Sequence, residues 1–262
     1  MIQDDKNGRG VEIKERSAAK EQRFWEVDAA RGVAIVMMVV YHLVYDLDTF
    51  GGYGIRSISG FWAYFADATA SAFLVLVGLS LAISYSRASA EGRSRNLFGK
   101  YLRRGLRIFG YGMALTVVFF VLEMGVVVFG ILHLIGVSII LAYPLLRFRL
   151  PNLLLGLSLI AVGWYMRIQG LSAESPWLLP FGVVPEKVFM PDYRPLLPWF
   201  GVVLLGLFVG NVLYASGKRP VSFAGKVPVV AKPLLPLGRN SLFIYLMHQP
   251  ILVALLTGLG VL

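Results

Sequence analysis

The stretch "VDAARGVAIVMMVVYHLVYDL", Val27 to Leu47, decides the fold. Its centre is apolar over the roughly 20 residues that a helix needs to cross a bilayer. Yet Asp28 and Arg31 stand at one end, and His42 and Asp46 towards the other. On a helix, eleven residues overshoot whole turns by about 20° and rise roughly 16 Å, so Arg31 and His42 share one face at different depths. Asp46 is one turn above His42 and Asp28 nearly one turn below Arg31, which makes one stripe of the helix polar. Ionisable groups at membrane depth are costly and mark function by default. The plainer alternative for Asp28 and Arg31 is an interfacial ion pair that anchors the helix end.

The rest of the chain has the same character. Of 262 residues 57% are hydrophobic and only 15% charged, with a mean hydropathy of +0.69, the profile of a polytopic membrane protein rather than a soluble domain. The formal charge of +10 belongs to loops beside the membrane, which sets nucleic acid aside as a partner. There is no cysteine, so disulfides, thiolate nucleophiles and thiolate metal sites are excluded. Residues 1–24 form a polar tail with no apolar run of the signal-peptide kind, and residues 25–262 read as a single transmembrane domain.

Seven windows are long and apolar enough to span, approximately 28–47, 61–85, 104–122, 126–147, 151–169, 197–216 and 238–260. The expected fold class is all-α, with a tight turn at Glu123 to Gly125 joining the third span to the fourth. Twenty of the 25 Lys and Arg residues fall in the tail, the loop after the second span, "RFR" at 147–149 and the stretch 218–239. By the positive-inside rule these segments face the cytoplasm, with the N-terminus inside and the C-terminus outside. Residues 170–196, rich in Pro and aromatics, then form the largest external loop.

All three histidines, His42, His133 and His248, fall inside predicted spans. One membrane histidine is readily a helix-to-helix hydrogen bond; three with none elsewhere suggest a shared cavity. Asp67, near the outer end of the second span, adds a carboxylate at similar depth, and a histidine oriented by a carboxylate is the usual construction of a general base. A metal site is a weaker use of these groups, because no close ligand spacing is present. On the last span Ser241, Tyr245 and His248 share a face. Before them Gly238, Arg239 and Asn240 are expected at the helix start, a favourable place for phosphate. Arg103 and Arg104, within the basic run 95–107, add cationic groups, unless they are only loop charge.

Four runs in order carry a resemblance: "DAARGVA" from Asp28; Ala66-Asp67 followed by "FLVLVGLS" from Phe73; "GILHLIG" from Gly130; and "GRNSLFIYLMH" from Gly238 to His248. They resemble successive motifs of the heparan-α-glucosaminide N-acetyltransferase catalytic-domain family, in its prokaryotic branch, from about residue 23 to the C-terminus. The Arg31-to-His42 spacing is also similar to that of the wider transmembrane acyltransferases of envelope polysaccharides. The resemblance implies transfer of an acyl group, typically acetyl, from cytoplasmic acyl-CoA to a hydroxyl or amine of a sugar-like acceptor beyond the membrane, without a metal. It departs from the eukaryotic enzyme, which has more spans, a lumenal domain and a histidine in the loop after the first helix; residues 48–60 here contain none.

Residue chemistry and resemblance together give each position an expected role. His42 acts as base or brief acyl carrier, oriented by Asp67 or Asp46, with His248 beside it. Arg31, Arg239, Asn240, Arg103 and Arg104 hold the donor. His133, Tyr245, Ser241 and Asp28 complete the substrate cavity. The expected setting is a cell membrane, with a homodimer left open. The rival is a proton-coupled transporter using the same His and Asp residues as a relay, against which the chain shows no internal repeat.

Overall fold

In the computed structural model, which describes residues 24–92, 97–121, 127–173, 175–185, 190, 192–214 and 227–262, the opening stretch forms α1, Trp25–Thr49. Seven further α-helices follow: α2, Gly60–Ala90; α3, Leu97–Val121; α4, Ile131–Leu141; α5, Leu150–Ile168; α6, Leu196–Leu213; α7, Leu234–Arg239; and α8, Ser241–Gly258. Among the described residues there is no strand. Six helices, α1, α2, α3, α5, α6 and α8, are long and apolar enough to cross a membrane.

The expected fourth span, 126–147, is shorter than its hydropathy suggests. Helix α4 covers only Ile131–Leu141 and gives way to a 3-10 turn at Tyr143–Leu145, with Pro144 inside it. Eleven residues rise about 16 Å, well short of a roughly 30 Å hydrocarbon core. The turn expected at Glu123 to Gly125 lies outside the described residues. Helix α3 begins at Leu97, seven residues before the predicted boundary, because the basic residues Lys100 to Arg107 continue the helix beyond its apolar part.

The chain divides into two compact units, one comprising residues up to Gly52 together with Lys226–Leu262, the other Tyr53–Gly225. In the first, α7 lies against α1 backbone to backbone. A Cβ on Gly32 would strike the Leu234 carbonyl, and one on Gly238 the Asp28 carbonyl. Lipid tails are as apolar as leucine, so close approach at small residues is what holds such helices together. Helix α8 also packs on α1.

In the second unit α2 packs on α6 in the same way, Gly78 against Val203 and Gly206 against Val75, which accounts for the small residues of the second span. Helix α5 meets α6 where Gly156 faces Gly201, and α3 meets α4 where Gly105 faces Gly136. Ser84 accepts hydrogen bonds from Lys100 Nζ at 3.1 Å and Tyr101 OH at 3.4 Å, tying α2 to α3. The link between α4 and α5 is held by two asparagines. Asn152 Nδ2 donates to the carbonyls of Leu145 and Phe148, and Asn211 Nδ2 to those of Leu146 and Phe148.

The described residues between α5 and α6 make hydrogen bonds of their own. Asp192 accepts the Ile131 N–H at 3.2 Å at the start of α4, and the Arg194 N–H donates to the Phe129 carbonyl at 2.9 Å. The Tyr193 hydroxyl donates to the Leu179 carbonyl at 2.5 Å, and Pro176–Phe181 form a 3-10 helix.

Candidate active site

The first unit brings His42 of α1 and His248 of α8 into ring contact, edge to face, with centroids 4.6 Å apart. Tyr41, Tyr45 and Tyr245 lie around them, with ring centroids 5.5 to 6.4 Å from the imidazoles they adjoin. The tautomer of His248 is fixed by its own helix. Its Nδ1 lies 2.6 Å from the Tyr245 carbonyl, and a carbonyl only accepts, so Nδ1 carries the proton and Nε2 keeps its lone pair. That Nε2 is buried and has no hydrogen-bond partner among the described residues, and neither has His42 Nδ1.

Asp46, one turn beyond His42, is fully buried. The sequence assigns it to orienting His42, but its Oδ1 accepts the side-chain amide of Gln249 at 2.6 Å instead, and no hydrogen bond joins it to the imidazole. Its Oδ2 and the Gln249 Oε1 are both buried without hydrogen-bond partners among the described residues. Pro250 follows directly inside α8 and removes the backbone N–H that would bond the Leu246 carbonyl.

At the other end of α1, about 21 Å away along the axis, the buried Asp28 carboxylate bridges two guanidinium groups. Arg31 Nη1 lies 3.3 Å from Oδ1, and Arg239 Nε 3.4 Å from Oδ2. The Arg239 side chain is 48% exposed. Arg239 does not open the last span as expected. It closes the short helix α7, and α8 starts two residues later at Ser241. Asn240 joins the two helices, and its side-chain amide donates back to the Pro236 carbonyl at 2.9 Å rather than capping α8.

The remaining predicted residues, His133, Asp67, Arg103 and Arg104, lie in the second unit. The His133 Nδ1 accepts the Gly130 N–H at 3.2 Å, and its Nε2 lies 3.5 Å from Thr116 Oγ1, whose own proton goes to the Val127 carbonyl at 2.5 Å. Phe109 and Phe129 enclose the ring. This is a satisfied core histidine that caps α4. Asp67 pairs with Arg194 at 3.1 Å, and that guanidinium lies over Trp199. Arg103 and Arg104 lie on α3, Arg103 exposed and Arg104 half-buried. Among the described residues no group of three or more His, Asp or Glu is arranged to hold a metal ion.

The sequence profile described as heparan-alpha-glucosaminide N-acetyltransferase, catalytic, matches residues 23–250. The chain belongs to that family. No curated protein and no solved structure matches it. The family is one of membrane acetyltransferases, and the match takes in both α1 and the α8 residues as far as Pro250, so both histidines of the pair and both partners of the Asp46–Gln249 contact lie within it. Gln249 is the site residue that sequence reasoning missed. Its signal was its position: next to His248 and just before a proline, a neutral amide on an apolar span is as anomalous as a charge.

Proposed function

We propose that this protein transfers an acyl group, acetyl in the first instance, from acyl-CoA on the cytoplasmic side to a hydroxyl or amine of a sugar-like acceptor on the far side, with the N-terminus inside. The observation that carries this reading is the ring contact between half-buried His42 and buried His248 in a chain of this family. The His248 Nε2 lone pair takes the proton of the acceptor O–H or N–H as that atom attacks the thioester carbonyl. A bond from the acceptor to the acyl carbon forms, the C–S bond breaks, and the proton passes to the departing thiolate. Two imidazolium ions at this separation repel, so the pair suits the passage of a single proton. His42 shares this task with His248, in the place that the sequence reading assigns to Asp67 or Asp46.

For the donor the reading uses Arg31 and Arg239 at the Asp28 end. Arg239 spends only Nε on Asp28, which leaves two nitrogens for phosphate oxygens. Arg103 and Arg104 are further cationic groups for the same anionic ligand. The test is release of CoA from acetyl-CoA by the purified chain in detergent, with and without sugar acceptors. Turnover by the wild type that is lost in both His42→Ala and His248→Ala supports the reading; turnover unchanged in both variants overturns it. A proton-coupled transporter has no need of CoA, so wild-type turnover also disposes of that rival.

A further inference from the structure

Beyond the two histidines, the first unit holds a second polar pair that the mechanism above does not use. Asp46 is fully buried in an apolar helix and is half satisfied: Oδ1 is bonded to Gln249, and Oδ2 has no hydrogen-bond partner among the described residues. Gln249 is likewise half satisfied, its Nε2 engaged and its Oε1 buried without a partner. A contact that served packing alone would leave no buried carboxylate oxygen and amide oxygen unmatched, since each orphaned acceptor is destabilising. Both orphans accept only, and His248 Nε2 adds a third acceptor from the residue next to Gln249. Three acceptors on the two facing helices call for a ligand that brings hydrogen-bond donors. A fully deprotonated anion brings no donor to match them.

We propose that Asp46 and Gln249 form the acceptor subsite: Asp46 Oδ2 and Gln249 Oε1 receive two donor groups, hydroxyl or amine, of a polyol or amino sugar, and so set the reacting heteroatom against His248 Nε2. The inference rests on the transferase reading for the identity of the ligand as an acceptor. It also separates two stations along α1: an anion-binding end at Arg31 and Arg239, and a donor-group-binding end at Asp46, beyond the histidines. Since hydroxyl and amine share this chemistry, glucose and glucosamine serve as the two probes.

The experiment is calorimetric titration of the full chain in detergent with glucose, glucosamine and acetyl-CoA, for wild type, Asp46→Asn and Gln249→Ala. Asp46→Asn keeps the shape of the side chain, and Gln249→Ala removes a half-buried group, so the second variant serves if the first fails to fold. The expected result is that the wild type binds at least one of the sugars. The variants weaken that binding by about 10-fold to 100-fold, as the loss of a hydrogen bond to a charged or buried polar group implies, while acetyl-CoA affinity stays the same. Tighter binding of glucosamine than of glucose, lost in Asp46→Asn, identifies the amine as the group on the carboxylate. Sugar affinity unchanged in both variants, no sugar binding by the wild type, or a parallel loss of acetyl-CoA affinity overturns the proposal. CoA release measured alongside keeps the two readings apart. Sugar binding that depends on Asp46 without any acetyl-CoA turnover sinks the transferase reading and keeps the subsite. Turnover whose acceptor KM ignores both variants does the reverse.

Discussion

The imidazoles of His42 and His248 meet edge to face at 4.6 Å, so α1 and α8 each bring one ring to a single contact. Residues that act as a unit are not additive when removed. His42→Ala and His248→Ala are each expected to lower acetyl-CoA turnover by about 10²-fold to 10⁴-fold, the range of general-base catalysis. The double variant should lose no more than the worse single one. A double-variant loss equal to the product of the singles, measured as kcat for CoA release, would show two independent roles instead of a pair.

At the donor end the expectation is a different kinetic signature. Arg239→Ala removes a half-exposed guanidinium that contacts Asp28 through one nitrogen only. The KM for acetyl-CoA should rise about tenfold, as for one charge-assisted hydrogen bond, with kcat changed little. A fall in kcat at constant KM would place Arg239 in the chemistry and out of donor binding.

Gly238 is the point where α7 lies on the backbone of α1, and a methyl group there runs into the Asp28 carbonyl. Backbone cannot yield as a side chain can, so Gly238→Ala is expected to lower stability by about 1–3 kcal/mol. The change also displaces the neighbouring Arg239 from Asp28. Thermal unfolding in detergent and acetyl-CoA affinity should therefore fall together, whereas Arg239→Ala should affect affinity alone. An unshifted midpoint for Gly238→Ala would mean that the two helices part easily.

Much of this was legible in the sequence, for identifiable reasons. Apolar length found α1, α2, α5, α6 and α8, because a lipid-facing helix must be apolar along its whole span. It overestimated α4, since hydropathy runs straight through Gly130 and Pro144, where the backbone turns. It missed α7, as six residues leave no periodic pattern and Pro236 reads as a breaker. The polar stripe of α1 was visible in the sequence, but the contacts it makes come from 200 or so positions along the chain: Asp28 finds Arg239, and Asp46 finds Gln249. No single-helix pattern contains that information. His133 shows the opposite failure, for its residue type matches His42 and His248 while its surroundings, a helix cap between two phenylalanines, do not.

That difference is itself testable. His133→Ala removes a buried ring and leaves the Gly130 N–H without its acceptor, so a stability loss of about 2–4 kcal/mol is expected from cavity and hydrogen bond together. Turnover per folded molecule should stay near the wild-type value. Loss of turnover in protein that unfolds at the wild-type temperature would return His133 to the substrate cavity that its residue type suggests.

The final prediction concerns alkaline stability and the segment that leads into α6. Burial pushes the Tyr193 phenol from 10.0 up to about 12, against a smaller opposing effect of a backbone hydrogen bond from Gly182, and its hydroxyl donates to the Leu179 carbonyl. The folded state thus holds a proton that the unfolded state gives up earlier. This contribution to stability is complete below pH 10, and it is lost as the pH rises through about 12. Tyr193→Phe lacks the phenol. It should be less stable near neutrality, by about 1 kcal/mol for the missing hydrogen bond, and should show a shallower fall in unfolding midpoint between pH 10 and about 12. Parallel alkaline profiles for the two proteins would mean that the phenol is as open to solvent in the folded chain as in the unfolded one, and that the contact with Leu179 does not hold this segment in place.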